Sequence, residues 1–170
     1  MSGSNLRLQP WRYLAEICRG LTAQGHSLTL LSDVLPDQAD FPGARLVRCP
    51  GAFTFFARET GAAARTLHEI APDVVLANLG FTSFLHQNFH FLRGMPALGI
   101  VTSPYMAWRD LIRLGYLRLL SGWRLSTMPM LSAATPVAVL RARLRAVPFV
   151  GLAVQTQTLR ETLITRFNFP

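Results

Sequence analysis

The stretch AEICRGLTAQGHSLTLLSD, residues 15–33, joins an amphipathic helix to an apolar strand across Gly25-His26. Upstream, Pro10 suits a first helical turn, and Trp11, Leu14, Ile17, Cys18 and Leu21 recur at helical spacing. Gly25 supplies the left-handed residue that closes such a helix. Leu28 to Leu31 follows at once as a short buried strand. A helix feeding directly into a strand is the second half of a strand–helix–strand unit, which raises the question of the first half. Only ten residues stand before Trp11, and MSGSNLRLQP reads poorly as a strand. A sheet lacking its first strand is therefore expected.

The same alternation continues downstream. A Pro- and Asp-bearing loop, DVLPDQADFPG, ends the first strand, and ARLVRCP alternates as a strand nearer a sheet edge. Residues 53–70 read as a helix, stopped by Pro72-Asp73 before the buried strand in APDVVLANLG. Thr82 or Ser83 caps a helix running to about Leu92, and Gly94 closes it. ALGIVTSP is another buried strand, and residues 108–123 read as one long helix. Met128 to Thr135 gives no decision. Val137, Leu140, Leu144 and Val147 then make a helical face, FVGLAVQT the last strand, and QTLRETLITRF the last helix, capped by Thr158. Such alternation predicts an α/β fold: a Rossmann-like open parallel sheet with helices on both faces.

At 170 residues the chain fits a single domain, residues 1–170. Its basic residues are all arginine, and they are unevenly placed. Residues 1–105 hold eight arginines against seven acids, residues 106–170 nine against two, so most of the net +8 lies in the last third. That asymmetry points either to a solvated surface or to an anionic partner such as phosphate or phospholipid. No base-stacking motif or recognition helix is evident, so nucleic acid is not expected as a partner. Two cysteines imply no disulfide framework. The N-terminus has no apolar signal-like core, and the charge-poor run Leu125 to Leu140 is 16 residues, too short to span a bilayer. A cytoplasmic protein is expected, with peripheral contact at the inner face of the plasma membrane.

Ligands of open parallel sheets bind beyond the carboxyl ends of the strands. This selects the loops bearing Asn78, Phe81 and Thr82, and Ser103 with Tyr105, as candidates to line a binding cleft. Ahead of the first helix, Gly3, Ser4, Asn5 and Arg7 form a phosphate-seat candidate, though without the GxGxxG fingerprint. His86 and His90 have metal-ligand spacing, but Gln87 replaces the glutamate of HExxH and no third ligand stands near; no metal is expected. No GxSxG elbow and no carboxylate pair point to catalysis, and no catalytic residue is assigned. On the long helix, Arg109, Arg113 and Arg124 flank a stripe containing Trp108 and Trp123, and Arg141 and Arg145 share a face further on. Basic flanks with tryptophans suit an interfacial helix as well as core packing with arginine on the wet side.

RLQPWRYLAEICRGLTAQGHSLTLLSD, APDVVLANLG, GIVTSPY and GLAVQTQTLRETLITRFNFP, in that order, resemble the N-terminal domain of retaining GT-B glycosyltransferases, the mannosyl- and glucosyltransferase group. The resemblance implies an acceptor-side domain for sugar transfer from a nucleotide-sugar donor, which a separate C-terminal domain binds. It implies that the chain starts inside the family's glycine loop, where Gly3, Ser4, Asn5 and Arg7 fall, and that the donor-binding domain and its paired acids are missing. The chain alone is then expected to be inactive and to need no cofactor of its own. Asn78 stands near the place where many members carry a histidine, which leaves a catalytic role there in doubt. Ser103 and Tyr105 would touch a glycan or lipid-linked acceptor, and the arginine-rich helices would meet an anionic membrane. Two other classes fit the residues: a non-catalytic Rossmann-like nucleotide- or phosphate-binding module, and a membrane interaction protein on an α/β scaffold.

Overall fold

The computed structural model describes residues 9–50, 60–81, 83–86, 89–103, 105–115 and 128–169. The fold is α/β, with two small parallel sheets flanked by helices, as expected of a Rossmann-like open parallel sheet. The chain divides into two compact units, Met1–Pro72 and Asp73–Pro170.

In the first unit, α1 (Gln9–Ala23) leads into β1 (Leu28–Ser32), which pairs in parallel with β2 (Ala44–Arg48). The helix ends as the sequence implies. Gly25 has φ 85°, its N–H donates to Thr22 O, and the N–H of His26 donates to Leu21 O, a Schellman closure. Ala15 and Cys18 of α1 are buried with Phe41 and Ala44, and Trp11, Leu14, Leu28, Leu30 and Leu46 pack around them. Trp11 meets Phe41 edge-on, with ring centroids 6.2 Å apart. The loop between the strands is braced locally. Asp37 caps a 3-10 turn at Gln38–Asp40 by accepting from Ala39 N–H, and Gln38 Nε2 donates to Phe41 O and Ala44 O at 3.1 and 2.9 Å. Asp37 thus has a structural task. Helix α2 (Gly61–Ile70) buries Ala63 and Leu67 and closes on Ala71, a left-handed residue with φ 46°. The expected helix over residues 53–70 is therefore shorter, since Thr60 is already non-helical; residues 51–59 lie outside the described set.

The second unit carries a parallel sheet of order β3-β4-β5: β3 (Val75–Gly80), β4 (Ala97–Ser103) and β5 (Gly151–Val154). Gly99 lies at the centre, where an added Cβ would fall 2.5 Å from Leu152 Cδ2 and 3.1 Å from Leu79 Cδ1. Around the sheet run α3 (Ser83–His86), α4 (Trp108–Arg113), α5 (Met128–Ala134), α6 (Val137–Ala146) and α7 (Gln157–Glu161), the last continuing as a π-helical turn, Thr162–Arg166. Leu140 and Leu144 of α6 are fully buried, in keeping with their spacing of four.

Three further boundaries differ from expectation. The helix from Trp108 stops at Arg113, because Leu114 leads into Gly115 at φ 61°, a left-handed turn that no α-helix carries through. Residues 116–127, with Trp123 and Arg124, lie outside the described set, so of the expected arginine sector only Arg109 and Arg113 are described. Of the helix expected to run to Leu92, the described residues form α3 and a 3-10 turn at His90–Leu92, with Phe89 outside any helix and residues 87 and 88 outside the described set. The last helix is capped by Thr156, whose Oγ1 accepts from Leu159 N–H at 3.2 Å, in place of Thr158. Thr156 has the extended backbone a cap requires; Thr158 is already inside the helix.

Candidate functional site

The carboxyl ends of β3 and β4 are tied together by hydroxyls. Thr102 Oγ1 donates to Leu79 O at 3.1 Å, across the register irregularity at Leu79/Gly80. Ser103 Oγ accepts from Phe81 N–H at 3.0 Å, and Ser83 Oγ from Gly80 N–H at 3.1 Å. The first bond satisfies a backbone carbonyl and the other two satisfy backbone N–H groups as the two strands end. Ser103 thus first holds the shape of the strand ends, with its own hydroxyl proton left to orient.

Phe81 has no exposed surface, so it supports the site from beneath. Its ring packs against Tyr105 and Phe167, with centroids 5.1 and 5.2 Å away, and against Phe84 at 5.9 Å. Tyr105 stands edge-on to Phe167 at 5.1 Å and is covered by Arg166. The Arg166 guanidinium lies 4.9 Å from the Tyr105 ring centroid, and its Nη2 donates to the Tyr105 hydroxyl at 3.3 Å. Arg166 is held from behind as well, since Arg141 donates through Nε and Nη2 to Arg166 O at 2.9 and 2.7 Å. Here a guanidinium fork satisfies a carbonyl at the end of the last helical turn. Arg141, expected on a membrane face, is therefore engaged in holding the fold.

Beside this cluster lies an open groove of about 710 Å³. One wall is Tyr105, Met106, Asp110 and Leu114, from the loop after β4 and from α4. The other is Thr158, Thr162, Thr165 and Arg166, a ridge at spacings of four, three and one along α7 and its π turn. Asp110 accepts from Ala107 N–H through Oδ2 at 2.9 Å, which fixes the start of α4.

Of the cleft candidates, Ser103 and Tyr105 come together with Phe81. Asn78 lies within β3, in register with Ile100, and not beyond the strand as expected. Thr82 and the phosphate-seat residues Gly3, Ser4, Asn5 and Arg7 lie outside the described set. His86 belongs to α3 and His90 begins a 3-10 turn, with the non-helical Phe89 before it, so no single α-helix carries both. Among the described residues no group of three or more His, Cys, Asp or Glu is placed to hold a metal. Sequence reasoning missed Asp110, Thr162, Thr165 and Arg166. The signal for the ridge was present in TLRETLITR, a hydroxyl row at helical period ending in arginine.

Trp108, Arg109, Ile112 and Arg113 form an exposed face on α4, opposite the fully buried Leu111. Trp108 is 42% and Ile112 64% exposed, and neither arginine makes an ion pair among the described residues. Arg145 is exposed on α6. No described helix is long and apolar enough to cross a membrane.

Comparison of the chain with protein-family models, with curated proteins and with solved structures finds no match.

Proposed function

We propose that the chain is the acceptor-side part of a GT-B glycosyltransferase, a hexosyltransferase that moves a sugar from a nucleotide-sugar to a glycan or lipid-linked acceptor. The observation that carries this reading is the place of the groove. It opens beside the loop after β4, at the carboxyl edge of a wholly parallel sheet, where α/β proteins bind ligands. The order of motifs from the first helix to QTQTLRETL supports it further. In this role the donor contacts fall to a C-terminal domain, and the chain by itself turns nothing over. The test is a transfer assay with labelled UDP-, GDP- and ADP-sugars and membrane-lipid or glycan acceptors. It compares the chain alone with the chain co-expressed beside the adjoining encoded polypeptide. Transfer from the pair and none from the chain is the expected result; no transfer from either removes the reading.

A membrane role accompanies it, supported by the α4 face. An exposed tryptophan and isoleucine beside two unpaired arginines suit the boundary of an anionic bilayer. Two arginines contribute about 2 kcal/mol at such a surface. Flotation on vesicles with and without phosphatidylserine reads this directly: binding should require the anionic lipid and fall when Arg109 and Arg113 are both replaced by Gln. Equal binding to neutral vesicles, or none to either, counts against peripheral attachment.

A further inference from the structure

The proton inventory of the groove identifies what chemistry it accepts. Thr162 Oγ1 donates to Thr158 O at 2.8 Å, and Thr165 Oγ1 donates to Glu161 O at 2.7 Å. Each hydroxyl has one proton, and both are turned back onto their own helix, so these side chains offer lone pairs to the groove. Asp110 faces them with a carboxylate that accepts only; Oδ2 receives the Ala107 N–H, and Oδ1 remains for a further donor. The Tyr105 hydroxyl accepts from Arg166, which leaves its single proton to give. Arg166 supplies a positive charge, but it lies against the Tyr105 ring, and Asp110 brings a carboxylate to the lining of the same groove.

An anion fits these walls poorly. Phosphate oxygens need donors, and on this ridge only Thr158 keeps a hydroxyl proton to give, those of Thr162 and Thr165 being spent on the helix, while the Asp110 carboxylate opposes a second negative charge. A ligand rich in hydroxyl groups fits well, because each hydroxyl donates to a carboxylate or threonine oxygen and accepts from Tyr105 or Arg166. Leu114 and Met106 give an apolar patch for the C–H face of a ring. We propose that the groove between α4 and α7 is a subsite for a neutral polyhydroxylated ring, a sugar unit, held chiefly by Asp110. This deepens the acceptor-side reading and rests on it for the choice of sugars.

The experiment is saturation-transfer NMR on the full chain with methyl glucoside, methyl mannoside, methyl galactoside and maltose, with inorganic phosphate and UDP as competitors. At least one sugar should show transfer that neither phosphate nor UDP displaces. Asp110→Asn keeps an acceptor for the Ala107 N–H but removes the charge, and should weaken binding roughly tenfold. Thr162→Val with Thr165→Val keeps the β-branched shape and removes two acceptors, and should weaken it by a similar factor. Arg143→Gln, on α6, should leave binding unchanged. Amide spectra of each variant report whether it is folded. Absence of binding by every sugar, displacement by phosphate or UDP, or an Asp110→Asn variant that binds as the parent does would each overturn the proposal. Sugar binding is read without donor or turnover, so its failure is distinct from failure of the transfer assay.

Discussion

The two units use similar layers for different ends. The first buries Phe41 under Trp11 and α1, closes its helices by backbone turns, and carries seven arginines against six acids in residues 1–72. The second, residues 73–170, carries ten arginines against three acids, and its buried rings sit beneath a polar surface at the strand ends. In the first unit the aromatic contact completes a core. In the second, the rings of Phe81, Tyr105 and Phe167 are a platform on which Arg166 and the groove are built. The same residue types thus complete a core in one unit and, in the other, underlie the strand ends where the groove opens.

The sharpest way to break this contrast is to remove one ring from each unit. Phe41→Ala and Phe167→Ala should each cost about 3–5 kcal/mol in urea unfolding, since both side chains are almost wholly buried. Only Phe167→Ala should also abolish sugar binding, because Arg166 and Tyr105 lose their support. Equal effects on binding would erase the distinction.

A glycine in each unit sharpens it further. Gly43 combines φ 78° with a Cβ position 2.6 Å from the Thr22 methyl, so Gly43→Ala meets both backbone strain and a stiff side chain, together about 2–4 kcal/mol. Gly99 has strand geometry and meets the mobile ends of Leu152 and Leu79, so Gly99→Ala should cost less, about 1–3 kcal/mol. Thermal or urea midpoints of the two variants check the order.

Smaller effects come from the bonds that hold α7. Thr156→Ala removes the cap and should cost about 1 kcal/mol. Arg141→Gln should cost a similar amount by releasing the Arg166 carbonyl, and it should leave vesicle binding intact, unlike the Arg109/Arg113 pair. Least of all is a pH effect confined to the first unit. Burial pushes the Cys18 thiol up, and burial with the nearby Asp33 charge pushes Cys49 up against a hydrogen bond with Thr66. A thiol raised in the folded state contributes its full stability below the unfolded value, near pH 8.5, and loses it as pH rises through the folded value. Urea midpoints should therefore decline above about pH 8.5, and Cys18→Ala with Cys49→Ala should flatten that decline.

Much of the fold was legible because its signals are local. The helix ending at Gly25, the apolar strands and the Leu140/Leu144 face each declare themselves within a few residues. Long-range contacts were not. Arg141 lies 25 residues from the carbonyl it holds, and Arg166 lies 61 from Tyr105. No periodicity reports such pairs, so Arg141 read as a surface charge and Arg166 as nothing in particular. Gly115 was visible in the sequence, but apolar periodicity on both sides of it suggested continuity that one left-handed residue prevents. Asn78 shows the opposite error, a polar residue assigned to a loop although the ladder continues through it.

Arg166 is gripped twice, its carbonyl by Arg141 and its side chain by Tyr105. A free arginine on a surface samples many rotamers and gives up that freedom when a ligand orders it. Here part of that freedom is already given up against Tyr105, so a guest in the groove meets a partly ordered wall and has less of that entropy to remove on docking.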